Sequence, residues 1–463
     1  MTVLAFLLGL GLLITVHEWG HYRVAVACGV KVLTFSIGFG KPLMRWKSSR
    51  PYPGQDTEFV ISLIPLGGFV KMLDASEEAL TPADAAMALD RQPLWARAAI
   101  VSAGPLANFL LALALYAATF WLGQYETRAL LATPVAGSSA ELAGLKSGDL
   151  VLRAGVDGAS MQDIGSMEQL RWWLMQQDHT ATGLVLDVQP MARTSSHTVS
   201  LMPPPAQEGT SNAAAGLQDL GLVGAWSRAV LGDLQPNGAA KQAGLQRGDE
   251  VLRINGRVVD DAVALRATVR ASARAQDADA MAEQIWDIQR AGQGVLHIAV
   301  TPDRVAEGAE FVGRIGAQVG EAPQKIWMQY GLMDGLLRAV HRTWEVSHLT
   351  LDMIGRLITG RASLDNLSGP LSMADYAGRS ASVGLAPYLA YLALLSVSLG
   401  VFNLLPLPVL DGGHLLYYLY EAFTGHPPSP RWLEILQSAG MAVLMALMAF
   451  SLFNDVVRLG WLS

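Results

Sequence analysis

Long apolar runs occur at four places in this chain, and each is long enough to cross a lipid bilayer. They cover residues 2–22, 98–125, 380–410 and 435–454. A bilayer core about 30 Å thick needs about 20 apolar residues per helix, so the pattern predicts four transmembrane helices. The composition supports a membrane protein, because 51% of the residues are hydrophobic and only 16% are charged.

Two further patterns lie between these runs. Residues 31–40 and 57–72 combine β-branched and aromatic residues with Gly, Pro and Lys, which is typical of β-hairpins. Because such apolar strands are poorly suited to water, we expect a sheet that dips into the membrane; a small cytoplasmic β-domain is the alternative. Residues 325–362 have apolar positions at spacings of three and four. This spacing predicts an amphipathic helix that lies either on the outer membrane surface or against the core.

A repeat with a period of one hundred residues lies in the long segment 126–379. "AGLKSGDLVLRAGVDG" begins at Ala143, and "AGLQRGDEVLRINGRV" begins at Ala243. In each copy Ala-Gly-Leu is expected to end a helix, and a Gly-Asp turn leads into a short strand. These stretches resemble PDZ domains of bacterial proteases, which implies two modules.

PDZ domains capture extended peptides by adding a strand to a sheet edge, and their loop amides bind the terminal carboxylate. We expect "LQDLGLVG" (217–224) to be that loop in the second module. The Pro-rich and then small, polar stretch 201–216 is expected to be a linker. The alternative is that the modules bind no peptide and only act as spacers around the membrane site.

The basic residues indicate how the chain is oriented in the membrane. Lys and Arg are frequent between the first two apolar runs, whereas none precedes the first run. By the positive-inside rule this loop faces the cytoplasm, which places the N-terminus, the segment 126–379 and the C-terminus outside. The net charge of -7 argues against nucleic acid as a partner.

The first apolar run contains three ionisable residues, His17, Glu18 and His21, in the pattern His-Glu-x-x-His. Two histidines four residues apart on a helix project from the same face, so both imidazoles can bind one metal ion. Ionisable groups inside a membrane span cost about 3 kcal/mol each on insertion scales and usually mark function. The pattern therefore predicts an intramembrane metal site, with a structural histidine pair as the alternative.

A catalytic zinc site needs a third protein ligand, and the third apolar run supplies a candidate. It ends in "NLLPLPVLDGGH" (403–414), where two prolines remove backbone donors and break the helix at membrane depth. Asp411 follows the break and is the expected ligand; His414 is the alternative ligand, or a hydrogen-bond partner of one. Asn403 is expected to hydrogen-bond the substrate backbone or the developing oxyanion, or else to join neighbouring helices.

Five motifs carry a resemblance to a known family. They are HEWGH (17–21), PLGGFVKM (65–72), SAGPLANF (102–109), NLSGPLSMA (366–374) and NLLPLPVLDGG (403–413). With them the chain resembles, nearly end to end, the site-2 protease family of intramembrane zinc metalloproteases. The resemblance implies that His17, His21 and Asp411 bind Zn²⁺, that Glu18 is the catalytic acid/base, and that Asn403 contacts the substrate.

The same resemblance implies a multi-pass protein of the bacterial inner membrane, with periplasmic PDZ domains and an active site near the cytoplasmic side. The expected substrates are single-span membrane proteins already trimmed on the outer side, of the anti-sigma factor class, and remnant signal peptides. Membrane lipid and peptide ligands of the PDZ domains are the other expected partners. The alternatives are a membrane metal transporter or sensor that uses the same ligands, and a PDZ peptide-binding scaffold.

The predicted fold is membrane α-helical, with four transmembrane helices, a membrane-associated β-hairpin sheet and two extracytoplasmic PDZ (α+β) domains. The predicted parts are a first transmembrane helix at 1–30, a cytoplasmic loop with β-hairpins at 31–96, a second transmembrane helix at 97–125, PDZ domains at 126–205 and 216–305, a segment with amphipathic helices at 306–379, a third, broken transmembrane segment at 380–410, a cytoplasmic loop at 411–434 and a fourth transmembrane helix at 435–457.

Overall fold

The computed structural model of the chain divides into two compact units. Unit 1 comprises Met1–Gln124 and Gln329–Ser463, and unit 2 comprises Tyr125–Met328. The structure describes all residues except 1, 50–51, 53, 76–81, 158–159, 176–182, 192, 203–219, 274–281, 308–309, 360–368 and 459–463.

The elements follow one another in three stretches of chain. The first stretch contains α1 (Thr2–Ala27), β1 (Val32–Lys47), β2 (Glu58–Met72), α2 (Pro82–Ala85) and α3 (Leu94–Leu122). The middle stretch contains β3 (Gln124–Thr127), α4 (Ser139–Leu142), β4 (Leu150–Val156), β5 (Gln162–Asp163), α5 (Met167–Met175), β6 (Leu184–Gln189), β7 (His197–Leu201), β8 (Leu231–Leu234), α6 (Ala239–Gln242), β9 (Glu250–Ile254), β10 (Arg257–Val258), α7 (Ala262–Ala271), β11 (Gln284–Arg290), β12 (Gly294–Val300), β13 (Asp303–Glu307), β14 (Glu310–Arg314), β15 (Ala317–Val319) and β16 (Lys325–Met328). The last stretch contains α8 (Leu332–Ile358), α9 (Pro370–Val383), α10 (Leu385–Leu404), α11 (Asp411–Thr424) and α12 (Pro430–Arg458).

Four helices in the described part of unit 1 are long and apolar enough to cross a membrane. They are Thr2–Ala27, Leu94–Leu122, Leu385–Leu404 and Arg431–Val456. The prediction of four such helices is therefore confirmed by length and composition.

The third predicted span, 380–410, has different bounds in the structure. A backbone φ of 152° at Gly384 separates α9 from α10, so the span begins after this glycine. The break predicted near its end is present, because α10 ends at Leu404 and the next helix begins at Asp411.

The predicted cytoplasmic loop at 411–434 is mostly helical in the structure, and its cytoplasmic position stays a prediction. α11 covers Asp411–Thr424, and α12 begins at Pro430, before the predicted start of the fourth span at residue 435. Hydropathy did not reveal α11 because its apolar residues alternate with His414, Glu421 and three tyrosines.

The predicted strands of the first loop are present, and they form one sheet, as expected. β1 pairs with β2 in an antiparallel arrangement with repeated register shifts. Residues 34–37 of β1 pair with both 58–61 and 68–71 of β2, whereas 42–47 pair with 58–62 alone. The sheet therefore has two outer segments, 42–47 and 68–72.

Apolar side chains cover much of the exposed surface of this sheet. Phe39, Leu43, Met44, Ile61, Leu63, Ile64 and Phe69 are each at least 37% exposed. This exposure is what a membrane-associated sheet requires, and insertion of the sheet into the membrane stays a prediction.

Unit 2 contains two copies of one fold, in agreement with the sequence repeat. We call them module 1 and module 2; their four-stranded sheets have the orders β5-β4-β6-β7 and β10-β9-β11-β12. A glycine with positive φ follows the short helix of each copy, Gly144 at 88° and Gly244 at 80°. The helix ends predicted from Ala-Gly-Leu are therefore present.

The predicted module boundaries, 126–205 and 216–305, are wrong, because a segment from farther along the chain closes each module. Leu220 and Leu222 are buried in the core of module 1, where Ala140 N donates to Leu220 O at 2.9 Å. In module 2 the equivalent bond joins Ala240 N to Ile315 O at 2.8 Å. Such distant closing segments leave no local pattern in the sequence.

The assignment of the loop 217–224 to the second module is therefore wrong as well. Its described residues, 220–224, pack in module 1, and the corresponding stretch of module 2 is 315–319. Residues 217–219 and most of the predicted linker 201–216 lie outside the described residues.

The amphipathic helix predicted at 325–362 is α8, which begins only at Leu332. Ala339 and Val346 are buried against α3 and α10, as the core-facing interpretation requires. Leu337 and Trp344 are 56% and 70% exposed, so the membrane-surface interpretation stays a prediction for that face.

Candidate metal centre

The three residues predicted as metal ligands meet at one point in unit 1. The ligand atoms of His17, His21 and Asp411 lie within 4.8 Å of one another. Nε2 of His17 is 3.2 Å and Nε2 of His21 is 3.4 Å from Oδ2 of Asp411, and the two Nε2 atoms are 3.2 Å apart. Residues separated by nearly 400 positions therefore form one cluster.

The cluster fits a zinc ion. With metal–ligand bonds of about 2.0–2.1 Å, two ligands of a tetrahedral site lie about 3.3 Å apart, close to the observed separations. Oδ2 of Asp411 is buried and has no hydrogen-bond partner among the described residues. A buried carboxylate oxygen without a donor is costly, and a cation among the three atoms would satisfy it. Two imidazole nitrogens and one carboxylate oxygen leave a fourth position for water or substrate.

Two glycines allow Asp411 to approach the histidines. A Cβ added to Gly412 would lie 2.2 Å from Leu405 O, and one added to Gly413 would lie 2.3 Å from Leu407 O. The first turn of α11 therefore packs directly on the backbone of the broken segment that precedes it. Any side chain at these glycines would displace α11 and the carboxylate at its start.

Helix α3 supplies contacts that the sequence analysis did not assign. Nδ1 of His21 lies 2.8 Å from Ile100 O, and Nδ1 of His17 lies 3.1 Å from Nδ2 of Asn108. Between these contacts, a Cβ on Gly104 would lie 2.2 Å from Nε2 of His21. Positions 100, 104 and 108 share one helix face. The motif SAGPLANF contains two of these residues, so the resemblance pointed to the segment without giving the residues a role.

Glu18 lies beside the cluster on α1. It is half-buried, and its carboxyl interacts electrostatically with His17, His21 and Asp411. A Cβ on Gly68 would lie 3.0 Å from Cγ of Glu18, so the outer segment 68–72 of the sheet passes next to this side chain.

Asn403 and His414 are not part of the converging group. Asn403 is half-buried in the last turn of α10, and its side chain forms no hydrogen bond with the described residues. His414 packs edge-on against Tyr417, with ring centroids 5.8 Å apart. The ligand group found among the described residues contains Asp411 rather than His414.

Comparison with known proteins identifies the family. The sequence model of peptidase family M50 matches residues 5–447. The chain belongs to peptidase family M50. A putative zinc metalloprotease of Ralstonia nicotianae is 38% identical over 99% of both chains. Protease RseP of Yersinia pestis is 38% identical, and regulator of sigma-E protease RseP of Escherichia coli is 37% identical, each over 98% of both chains.

Family membership decides between the functions that the sequence left open. The chain is an intramembrane zinc metalloprotease of the site-2 type, as the resemblance implied. The three relatives are named as proteases, so the alternatives of a metal transporter and of a peptide-binding scaffold gain no support.

Proposed function

We propose that His17, His21 and Asp411 hold the catalytic zinc, and that the enzyme cuts the transmembrane segment of a single-span protein already shortened on its outer side. The observation that carries the proposal is the convergence of three ligand atoms at an otherwise unpaired oxygen of Asp411. Because the Escherichia coli relative is named a regulator of sigma-E protease, the proposed substrate is a membrane-bound anti-sigma factor. Remnant signal peptides are the second proposed substrate class.

The proposed location is the bacterial inner membrane, with modules 1 and 2 in the periplasm. The many Lys and Arg residues between the first two spans support a cytoplasmic position for that loop. His17 and His21 lie in the second half of α1, which leads into this loop, so the metal centre is proposed to lie near the cytoplasmic side.

The proposed reaction is hydrolysis of a peptide bond. When bound, zinc supplies a Lewis acid that polarises the scissile carbonyl and makes a water more acidic. Glu18 takes a proton from the attacking water and passes it to the leaving amine. The free amide of Asn403 hydrogen-bonds the substrate backbone and orients the bond to be cut.

The outer segment 68–72 of β2 is the proposed binding strand for the substrate. The amides of a transmembrane helix are already hydrogen-bonded, so the substrate must unwind before it is cut. An unwound chain can pair with the edge of a sheet. At Gly68 this edge passes Ile14 and Glu18, 2.9 and 3.0 Å from the position of an added Cβ, so a strand added there would lie near the acid/base.

Proline substitutions test this step. Phe69→Pro and Val70→Pro remove backbone donors from the proposed binding strand and should slow cleavage while leaving bound zinc unchanged. Met44→Pro, on the other outer segment of the same sheet, is the matched control and should cleave normally. Unchanged cleavage in all three variants would remove the sheet from the mechanism.

Modules 1 and 2 are proposed to be PDZ domains that admit only substrates without bulky outer domains. A cavity of about 490 Å³ in module 2 lies between α7 and the strands β14 and β15, and Arg266 and Arg314 are among its lining residues. A basic groove of this kind suits the carboxylate of a trimmed chain end, which favours peptide binding by module 2.

Glu18→Gln tests the function as a whole. The variant removes the acid/base and keeps the proposed ligands, so it should bind zinc like the unmodified protein and fail to cut a single-span model substrate in vesicles. Substitution of the half-buried acid Glu345 by Gln, on α8, is a matched change of charge away from the cluster and should leave cleavage intact. Cleavage by Glu18→Gln at the normal rate would overturn the proposed mechanism.

A further inference from the structure

The ring of His17 must carry its proton on one particular nitrogen if it binds the metal. Nε2 faces Asp411 and His21 and is therefore the ligand atom. A neutral imidazole has one proton, and the nitrogen that binds a metal must be free of it. The proton of His17 therefore belongs on Nδ1, where a buried N–H needs an acceptor.

Asn108 is the described residue that reaches this nitrogen. Its Nδ2 lies 3.1 Å from Nδ1 of His17, the side chain is fully buried, and its Oδ1 has no hydrogen-bond partner among the described residues. With Nδ2 facing the ring, two donors would meet. A half-turn of the amide exchanges nitrogen and oxygen and replaces this contact by a hydrogen bond. In either orientation one of the two amide atoms of Asn108 is without a hydrogen-bond partner among the described residues. The exchange therefore costs no hydrogen bond.

The other ligand histidine shows the same arrangement with a backbone acceptor. Nδ1 of His21 lies 2.8 Å from Ile100 O, which can only accept, so the proton of His21 is on Nδ1 and its Nε2 is free for the metal. Ile100 and Asn108 lie two turns apart on the same face of α3. This face of α3 therefore contacts Nδ1 of each ligand histidine, the ring nitrogen that points away from Asp411.

We propose that Asn108 is a positioning residue for His17, whose Nδ1–H donates to the side-chain oxygen of Asn108. The bond keeps Nε2 unprotonated and fixes the orientation of the ring. In other metal sites, acceptors that bind the free N–H of a ligand histidine have the same effect. The Asn108 backbone is itself held, because its carbonyl accepts a hydrogen bond of 2.7 Å from Oγ of Ser396 on α10. This inference rests on the zinc site proposed above.

Two substitutions separate an accepting role from a donating or a packing role. Asn108→Leu keeps the size of the side chain and removes the acceptor, so it should weaken zinc binding by about 10- to 100-fold. Asn108→Asp keeps an oxygen and removes the NH₂, so it should retain zinc affinity close to that of the unmodified protein. Ser102→Ala is the control on the same helix, because Oγ of Ser102 bonds only within α3, to Ala98 O at 2.6 Å and to Ala99 O at 3.3 Å.

The measurement is zinc affinity of the full chain in detergent, by competition with a chelator of known affinity. Thermal unfolding of the zinc-stripped proteins shows whether each variant is folded. Loss in Asn108→Leu together with retention in Asn108→Asp supports the proposal. Normal affinity in Asn108→Leu, or equal losses in both variants, overturns it. Cleavage is not the readout, so an unmodified protein that binds zinc without cutting the substrate would contradict the proposed function and leave this inference standing.

Discussion

Asp249 of module 2 and Asp411 of the candidate metal centre each have a buried carboxylate oxygen, but the partners of that oxygen differ. Asp249 is 1% exposed and accepts hydrogen bonds of 2.7 Å from Nε and Nη2 of Arg290 and of 2.8 Å from Gln246 N. The hydrogen bond to Asp249 raises the pKa of the Arg290 guanidinium, which therefore stays charged. Oδ2 of Asp411 is also buried, and it faces two imidazole nitrogens without a hydrogen bond from any described residue.

We interpret this difference as one between a structural acid, Asp249, and a proposed functional acid, Asp411. A buried carboxylate that is fully hydrogen-bonded helps to hold its module together, and nothing more is needed to explain it. An unpaired buried oxygen costs stability, so it persists where function requires it. Substitutions at these two acids and at their neighbours test the interpretation.

Substitution of Asp411 should have the strongest effect on zinc binding. Asp411→Asn removes one of three proposed ligands. Loss of a residue that only hydrogen-bonds to a metal ligand lowers metal affinity by up to roughly 100-fold, so zinc affinity should fall by more than that. Cleavage should fall to background. The melting temperature of the zinc-stripped protein should barely change, because Oδ2 makes no hydrogen bond that the variant could lose. Metal analysis and thermal unfolding check both points; a strongly destabilised apoprotein would make Asp411 a structural acid like Asp249.

A methyl group at Gly104 should be nearly as damaging to the metal centre. The new Cβ would lie 2.2 Å from Nε2 of His21 and 2.8 Å from Cε1 of His17, so both rings must move. Gly104→Ala should therefore lower zinc occupancy and cleavage together. Gly11→Ala on α1 is the control, because nothing lies within 4 Å of its added Cβ. Equal zinc occupancy in the two variants would show that α3 does not constrain the ligands.

Asp249→Asn should affect stability instead of chemistry. It leaves the Arg290 guanidinium poorly paired and should lower the free energy of unfolding of module 2 by about 3 kcal/mol. Hydrogen exchange of β9 and β11 measures this loss. Asp233→Asn breaks an exposed pair with Arg247 and should cost less than about 1 kcal/mol. Zinc affinity should be normal in both variants, and a loss of zinc in Asp249→Asn would refute the division of roles.

A weaker effect than that of Asp249→Asn is expected for Glu421, which shares α11 with Asp411. Both carboxylate oxygens of Glu421 accept from Arg97 of α3, at 3.0 and 2.5 Å. Glu421→Gln keeps one hydrogen bond and loses the charge, so unfolding should become easier by about 2 kcal/mol. Zinc affinity measured by chelator competition should stay near normal, because the pair lies more than two turns from the ligand. A large loss of zinc would mean that this pair positions Asp411.

The parts of the fold that were predicted correctly depend on neighbouring residues. Apolar runs predicted the four long helices, and Pro406 and Pro408 predicted the break before α11. Ala-Gly-Leu predicted the ends of α4 and α6. The module boundaries were wrong because distant segments pack together, as Leu220 and Leu222 do when they close module 1. Helix α11 was missed for a local reason, since its residues are too polar for the hydropathy pattern that identified the other helices.

The proposed ligand set could be predicted for the same reason. His17 and His21 are four residues apart on one helix, and Asp411 follows a helix break at membrane depth. The meeting of the three ligand atoms could be seen only in the folded chain. The same is true of the contacts from Ile100 and Asn108 to the other ring nitrogens and of the space that Gly104 leaves for the two rings. Helical spacing fixes which side chains of one segment share a face, whereas the contact between two faces depends on packing between helices far apart in sequence.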